Sequence, residues 1–127
     1  MVERFFNEPS AVTPLVEFDQ QQGIFKIQGK SLPEDVKAFY MPLLQWWDEY
    51  RNSPNDTTNL VLDFDYFNTA SSKMILLLLS KLKDLSQLGK NVRVTWCFPS
   101  HDSEMEEAGE ELAEILNIPF DFIPKNS

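Results

Sequence analysis

Apolar and polar residues alternate in two short stretches near the start of the chain, Leu15–Asp19 (LVEFD) and residues 24–29 (IFKIQG), separated by QQQG. Period-two alternation on either side of a short polar turn predicts a β-hairpin. The period then changes. Val36, Phe39, Tyr40, Leu43, Trp47 and Tyr50 recur at spacings of three and four, the stripe of a helix with one buried face. Ser31, Pro33 and Glu34 have the form of a capping box with proline in the first turn, which predicts that this helix starts at Ser31. Pro42 falls inside the stripe and predicts a kink or a split into two helices.

After the polar loop 52–59, residues 60–67 (LVLDFDYF) read as a strand. Its opening LVL is apolar at consecutive positions, so it is expected to be central and covered on both faces. A helix follows over about residues 70–88 and is closed by Gly89. Residues 92–98 (VRVTWCF) form the next strand, stopped by Pro99. Asp102 or Ser103 can cap a third helix running to Leu116, with Ala108, Leu112, Ile115 and Leu116 on its apolar face. Residues 120–123 (FDFI) are a last short strand. The order β-β-α-β-α-β-α-β implies right-handed crossovers. The fold class is therefore α/β: a single domain over residues 1–127, with a mixed, mostly parallel sheet begun by a hairpin.

Composition narrows the function classes. The chain is 43% hydrophobic, with ten Phe and three Trp, enough for one core. The longest apolar run, residues 74–79, falls far short of the roughly 20 residues a bilayer span needs. No basic start leads into an apolar signal block, so a cytoplasmic location is expected. The single cysteine, Cys97, cannot form an internal disulfide, and one histidine, His101, leaves no Cys/His set for zinc; no cofactor is expected. A formal charge of -9 argues against nucleic acid and anionic membranes, whose phosphates require a basic face. A protein partner or a small ligand is left.

Asp63 and Asp65 share a strand face and resemble the D-x-D pair of haloacid-dehalogenase phosphatases, which would hold magnesium or accept phosphate. That pattern is normally followed two residues later by Thr or Val, where this chain has Phe67, so solvation of a strand end explains the two acids better. Cys97, between Trp96 and Phe98, is expected to be a buried small hydrophobe, and His101 a surface loop residue. The six glutamates within residues 104–114 make the wet face of a helix that could also select a partner. Trp46 lies about 100° around the helix from Trp47 and falls off the buried stripe. It is expected either to anchor an interface or to pack across a wide helix face.

The junction at residues 64–73, FDYFNTASSK, gathers four small polar residues, Asn68, Thr69, Ser71 and Ser72, at the start of the second helix. Either Thr69 or Asn68 can cap it, but one cap accounts for one residue. A hydroxyl at a helix N-terminus is well placed to receive phosphate. The macrodipole would favour the new charge by about 0.3 to 1 kcal/mol, with Lys73 nearby. Modification there is expected to leave the fold intact and to act on whatever docks over the junction.

Four segments, TPLVEFD (13–19), IQGKSLPED (27–35), FYMPLLQWWDEY (39–50) and FDYFNTASSK, together resemble the STAS-type fold of anti-sigma-factor antagonists. They are still more similar to the SiaC family of regulatory phosphoproteins. The resemblance implies a non-enzymatic signalling protein in which Thr69, the threonine of YFNT, is the phospho-acceptor. It implies a partner-binding face at Asn68, Thr69, Ala70, Ser71, Ser72 and Lys73, to which Trp46 is added. The partners implied are a GHKL-type protein kinase, a PP2C-like phosphatase, and a diguanylate cyclase stimulated by the unphosphorylated form, which favours biofilm. The alternatives are an antagonist that sequesters an anti-sigma kinase, a small magnesium-dependent phosphatase using Asp63 or Asp65, and a structural dimer built through Trp46.

Overall fold

The strands of the sheet line up in chain order. A computed structural model describes residues 1–126. Its elements are β1 (Phe5–Asn7), β2 (Leu15–Asp19), β3 (Ile24–Ser31), α1 (Val36–Tyr50), β4 (Thr57–Phe67), α2 (Thr69–Gln87), β5 (Asn91–Pro99), α3 (Ser103–Leu116) and β6 (Phe120–Lys125). One six-stranded sheet runs β1-β2-β3-β4-β5-β6. The first two pairings are antiparallel and the last three parallel. The expected order is therefore recovered with one strand added in front. β1 is too short to show a period of its own; pairing Phe5 with Phe18 and Asn7 with Val16 makes it a strand.

Each parallel crossover advances by one strand, and right-handed connections then place all three helices on the same face. Leu60, Leu62 and Phe64 of β4 and Val94 and Trp96 of β5 are buried under them. The intervening Val61, Asp63, Thr95 and Cys97 point to the opposite face, which no helix covers. Cover on both faces of β4 is thus corrected to cover on one. Cys97 is corrected with it, from buried to half-buried.

Helix α1 starts later than the capping-box reading places it. Asp35 is the N-cap and accepts from the Ala38 N–H at 3.0 Å, whereas Ser31 ends β3 and is fully buried. The helix continues through Pro42 without splitting. Of the two readings of Trp46, packing across a wide helix face is the one found, since it is 5% exposed, and its place on the partner-binding face is corrected accordingly. It packs on Phe18 and Tyr50 with centroids 5.1 Å from each, and its indole N–H donates to the Glu3 carbonyl at 2.8 Å. The N-terminal segment covers it, so it is not available to a partner.

Helix α2 closes as expected. Gly89 takes φ of 87°, its N–H bonds to the Ser86 carbonyl, and the Lys90 N–H returns to the Leu85 carbonyl. Those two bonds satisfy the last carbonyls of the helix. Of the two candidate caps for α3, Asp102 is the one used, accepting from Met105 N–H. Met105, Gly109 and Leu116 form the buried edge of α3, with Ala108 and Leu112 half-buried. Ile115, expected on the buried face, is 67% exposed.

Candidate functional site

The junction is shaped by an irregularity in the sheet. β3 pairs with β4 through Gly29–Phe64, then Lys30–Tyr66 and Ser31–Phe67, so Asp65 is an extra residue on β4. One inserted residue reverses which side chains face the helices. Phe67 consequently turns toward the helix side and packs against Phe64 and Trp96, at centroid distances of 5.3 and 6.2 Å. Ser31 turns inward opposite it, beneath the start of α2.

Three hydroxyls meet there. Ser31 Oγ lies 2.6 Å from the Tyr40 hydroxyl and donates to Ser71 Oγ at 2.9 Å, and Ser71 Oγ donates to the Ser31 carbonyl at 3.1 Å. The Asn68 N–H also bonds the Ser31 carbonyl, at 3.2 Å. This chain ties α1, β3 and the first turn of α2 into one buried polar cluster, with Tyr40, Ser31 and Ser71 all fully buried. Burial pushes the Tyr40 phenol up to about 12, against the opposing pull of its bonds to Ser31 and Ser71. Neither Ser31 nor Tyr40 stood out as a site residue in the sequence, because Ser31 reads locally as a helix cap and Tyr40 as one more member of the α1 stripe; it is as the end of β3, on the same face as Phe25 and Ile27, that Ser31 is buried.

The four polar residues of the junction therefore divide. Asn68 is the N-cap, its side chain accepting from the Ser71 N–H at 2.8 Å. Ser71 is buried, which corrects its placement on a partner-binding surface. Ser72 is half-buried and its hydroxyl donates to the Thr69 carbonyl at 2.6 Å. Thr69 stands exposed at the first helical position, followed by exposed Ala70 and, one turn on, exposed Lys73. No acidic residue occupies the first turn of α2, so its positive end faces solvent uncompensated. Tyr66, 54% exposed, lies toward the start of α3, near Asp102 and Glu104.

Asp63 and Asp65 lie on the bare sheet face, away from Thr69's side of β4. Lys125 of β6 bonds the Asp63 carboxylate and approaches Asp65 at 3.7 Å. Burial lowers the Lys125 pKa, but the bond and charge of Asp63, together with Asp65, more than reverse this and raise it. The neighbouring Cys97 thiol is raised by burial and then by the charge of Asp63. An ammonium group thus occupies the space between the two carboxylates that a D-x-D cation would need, and the thiol is held in its un-ionised form.

Beside Thr69 a groove of ≈ 220 Å³ runs between α2 and α3, floored by Phe67 and Ile75 and walled by Leu76, Ala108 and Leu112. Ser72 and Lys73 are at its end nearest Thr69.

A family model described as SiaC family regulatory phosphoprotein matches residues 7–125. The chain belongs to the SiaC family. A protein of Pseudomonas aeruginosa (strain UCBPP-PA14), named only as uncharacterized, is 28% identical over 108 residues, covering 85% of this chain and 86% of that protein. The crystal structure of apo-SiaC from P. aeruginosa superposes with a TM-score of 0.85 at 25% identity, over 95% of this chain and 98% of that one. The crystal structure of diguanylate cyclase SiaD in complex with its activator SiaC, from the same species, gives a TM-score of 0.88 at 24% identity, covering 95% and 99%. The sheet order and the one-sided helical layer are thus those of a SiaC-family domain, as the sequence motifs imply.

Proposed function

We propose that the protein is a non-enzymatic phospho-switch in which reversible phosphorylation of Thr69 controls the binding of a protein partner. The observation that carries this reading is the contrast within one turn of α2. Ser71 is buried in the hydroxyl cluster and Ser72 is bonded to the backbone, while Thr69 is exposed at the uncompensated positive end of the helix. In the modification, the γ-phosphoryl group of ATP passes to Thr69 Oγ1, the hydroxyl proton goes to a base of the kinase, and ADP leaves. The kinase and phosphatase are of the GHKL and PP2C-like types that the family resemblance implies. The new dianion sits where the first N–H groups of α2 point off the helix end, with Lys73 one turn away.

The partner is a diguanylate cyclase, activated by the unphosphorylated form in the cytoplasm and thereby raising cyclic-di-GMP and favouring biofilm. Support comes from the family membership and from the fold shared with a SiaC described as the activator of the diguanylate cyclase SiaD. The face engaged comprises the exposed residues Thr69, Ala70 and Lys73, with Asn68 and Ser72 at its edge. Incubation with the cognate kinase and ATP, followed by mass spectrometry, is expected to place phosphate on Thr69 and none on Thr69→Ala. Phosphate mapping to another residue would overturn the reading.

A further inference from the structure

One face of the six-stranded sheet carries no helix. Strands β3 to β6 run parallel, and parallel strands are ordinarily covered on both faces. The bare side also differs from the rest of the surface in charge. Arg4 lies with Glu17 and Asp19, Arg93 with Asp121, and Lys125 with Asp63 and Asp65. Lys26 and Lys30 supply two further cations, and among the described residues neither takes part in an ion pair. Positive and negative groups therefore cancel on this face, and the formal charge of -9 resides on the helices and connecting segments. Net repulsion between two copies of the chain is smallest here.

The sheet register gives that neutrality a pattern. A two-fold axis parallel to the strands, passing between β3 and β4, lays β1, β2 and β3 of one copy over β6, β5 and β4 of the other. Such a rotation keeps every residue at its own level along the strands. Lys26 pairs with Val61; two residues earlier, Ile24 pairs with Asp19 and Asn59 pairs with Arg93, which puts Asp19 and Arg93 at one level. Lys30 is level with the bulge residue Asp65, and Leu15, through Gln28 and Asp63, is level with Cys97. Across the axis Asp19 then meets Arg93 of the second copy, Lys30 meets its Asp65, and Leu15 meets its half-buried Cys97. Symmetry makes each contact twice, and no two like charges stand directly opposed.

We propose that the bare sheet face binds a second copy of this chain, sheet on sheet, in that two-fold arrangement. Stacked sheets of this kind lie about 10 Å apart with their strands nearly aligned. Strands spaced about 4.8 Å and averaging roughly 7 residues give a face of roughly 500 to 600 Å², so two copies bury about 1,000 to 1,200 Å², the lower end for a specific interface. The dimer is accordingly weak and held as much by paired charges as by apolar area. Thr69 and the start of α2 lie on the other side of the sheet, so both copies keep that surface free and the dimer presents two of them, pointing apart. The proposal does not depend on modification of Thr69.

Sedimentation equilibrium of the full chain, carried to about 1 mM, where an interface of this size associates, is expected to show a dimer that weakens as salt is raised. Lys30→Glu and Asp65→Lys are each expected to weaken the dimer at least tenfold, because each sets like charges against one another twice. The double variant Lys30→Glu/Asp65→Lys restores opposite signs and is expected to dimerise to within a few-fold of wild type. Lys37→Glu on α1, with the same change in net charge as Lys30→Glu, is expected to leave the dissociation constant within twofold. Equal melting temperatures in dilute solution establish that all four variants are folded. Cys97, covered in the dimer, is expected to react more slowly with a maleimide as the protein concentration rises. A wild type that stays monomeric at the highest concentration would overturn the proposal. So would a dimer that Lys30→Glu leaves intact, or a double variant that fails to re-form it.

Discussion

Ser31 and Ser71, 40 residues apart in the chain, share a hydrogen bond of 2.9 Å with both side chains fully buried. The bond joins the end of β3 to the first turn of α2 directly beneath Thr69. It divides the junction's hydroxyls into those that hold the structure and one that faces outward, so the two classes should respond oppositely to added charge.

Thr69→Glu places a carboxylate at an exposed helix N-terminus, where the dipole favours it. Its melting temperature is expected to stay within a few degrees of wild type, on the order of 1 kcal/mol or less, while cyclase binding weakens. Ser71→Glu buries an unpaired carboxylate in the Tyr40–Ser31 cluster and is expected to unfold the protein or to lower its stability by several kcal/mol. Thermal melts followed by circular dichroism compare the two. Similar large losses in both variants would contradict this division of roles.

The raised Tyr40 pKa sets a pH dependence. The phenol ionises at 10.0 when unfolded and at about 12 when folded, so the native state holds the proton more tightly. Its contribution is intact below pH 10 and lost as the pH rises through 12, up to about 3 kcal/mol. Tyr50, also raised by burial, acts in the same direction. Tyr40→Phe is expected to be less stable than wild type by about 1 kcal/mol at pH 8, and this difference should shrink from pH 10 upward. Urea titrations at pH 8, 10 and 11.5 measure it; parallel stability curves for the two proteins would show that Tyr40 does not control the alkaline limb.

Gly109 lies in mid-helix, where alanine would ordinarily add about 1 kcal/mol of helix propensity. Here a Cβ would come within 2.5 Å of the Trp96 indole nitrogen, which donates to the Met105 carbonyl. Gly109→Ala is therefore expected to destabilise by roughly 1 to 3 kcal/mol, lowering the melting temperature by several degrees and blue-shifting or broadening the tryptophan fluorescence. A rise in melting temperature would mean that α3 shifts freely over the sheet.

Trp46→Phe keeps an aromatic ring against Phe18 and Tyr50 but removes the donor to the Glu3 carbonyl. The N-terminal segment and β1 are expected to open more often, seen as faster hydrogen exchange over residues 2–7 with little change elsewhere. Binding of the cyclase should be unaltered, since Trp46 lies away from the junction and under cover.

The elements with strong local signals were legible in the sequence. The hairpin, the long α2 with its Gly89 stop and the α3 cap all depend on neighbouring residues, so their patterns are complete within a few positions. The α2 cap was legible as a choice between Asn68 and Thr69, of which Asn68 is the one used. What could not be read depends on distant parts of the chain. Ser31 reads locally as a capping residue and becomes the end of β3 because β4 pairs with it; Ser71 is buried by that same pairing. Trp46 falls off the stripe by helical geometry, and an N-terminal segment without periodicity covers it. LVL predicted two covered faces, but chain-order crossovers put every helix on one side.

The pinned first turn of α2 also constrains any enzyme that modifies it. Thr69 is presented on a helix whose start is fastened to β3 through Asn68 and Ser71, and an extended backbone at this point would break both attachments. If Thr69 is the acceptor as proposed, a kinase or phosphatase meets it on an intact three-dimensional surface, with Ala70 and Lys73 exposed on the same helix. A free peptide of residues 64–73 has the same letters and lacks that surface, so under the proposed switch it is expected to be a far poorer kinase substrate than the folded chain.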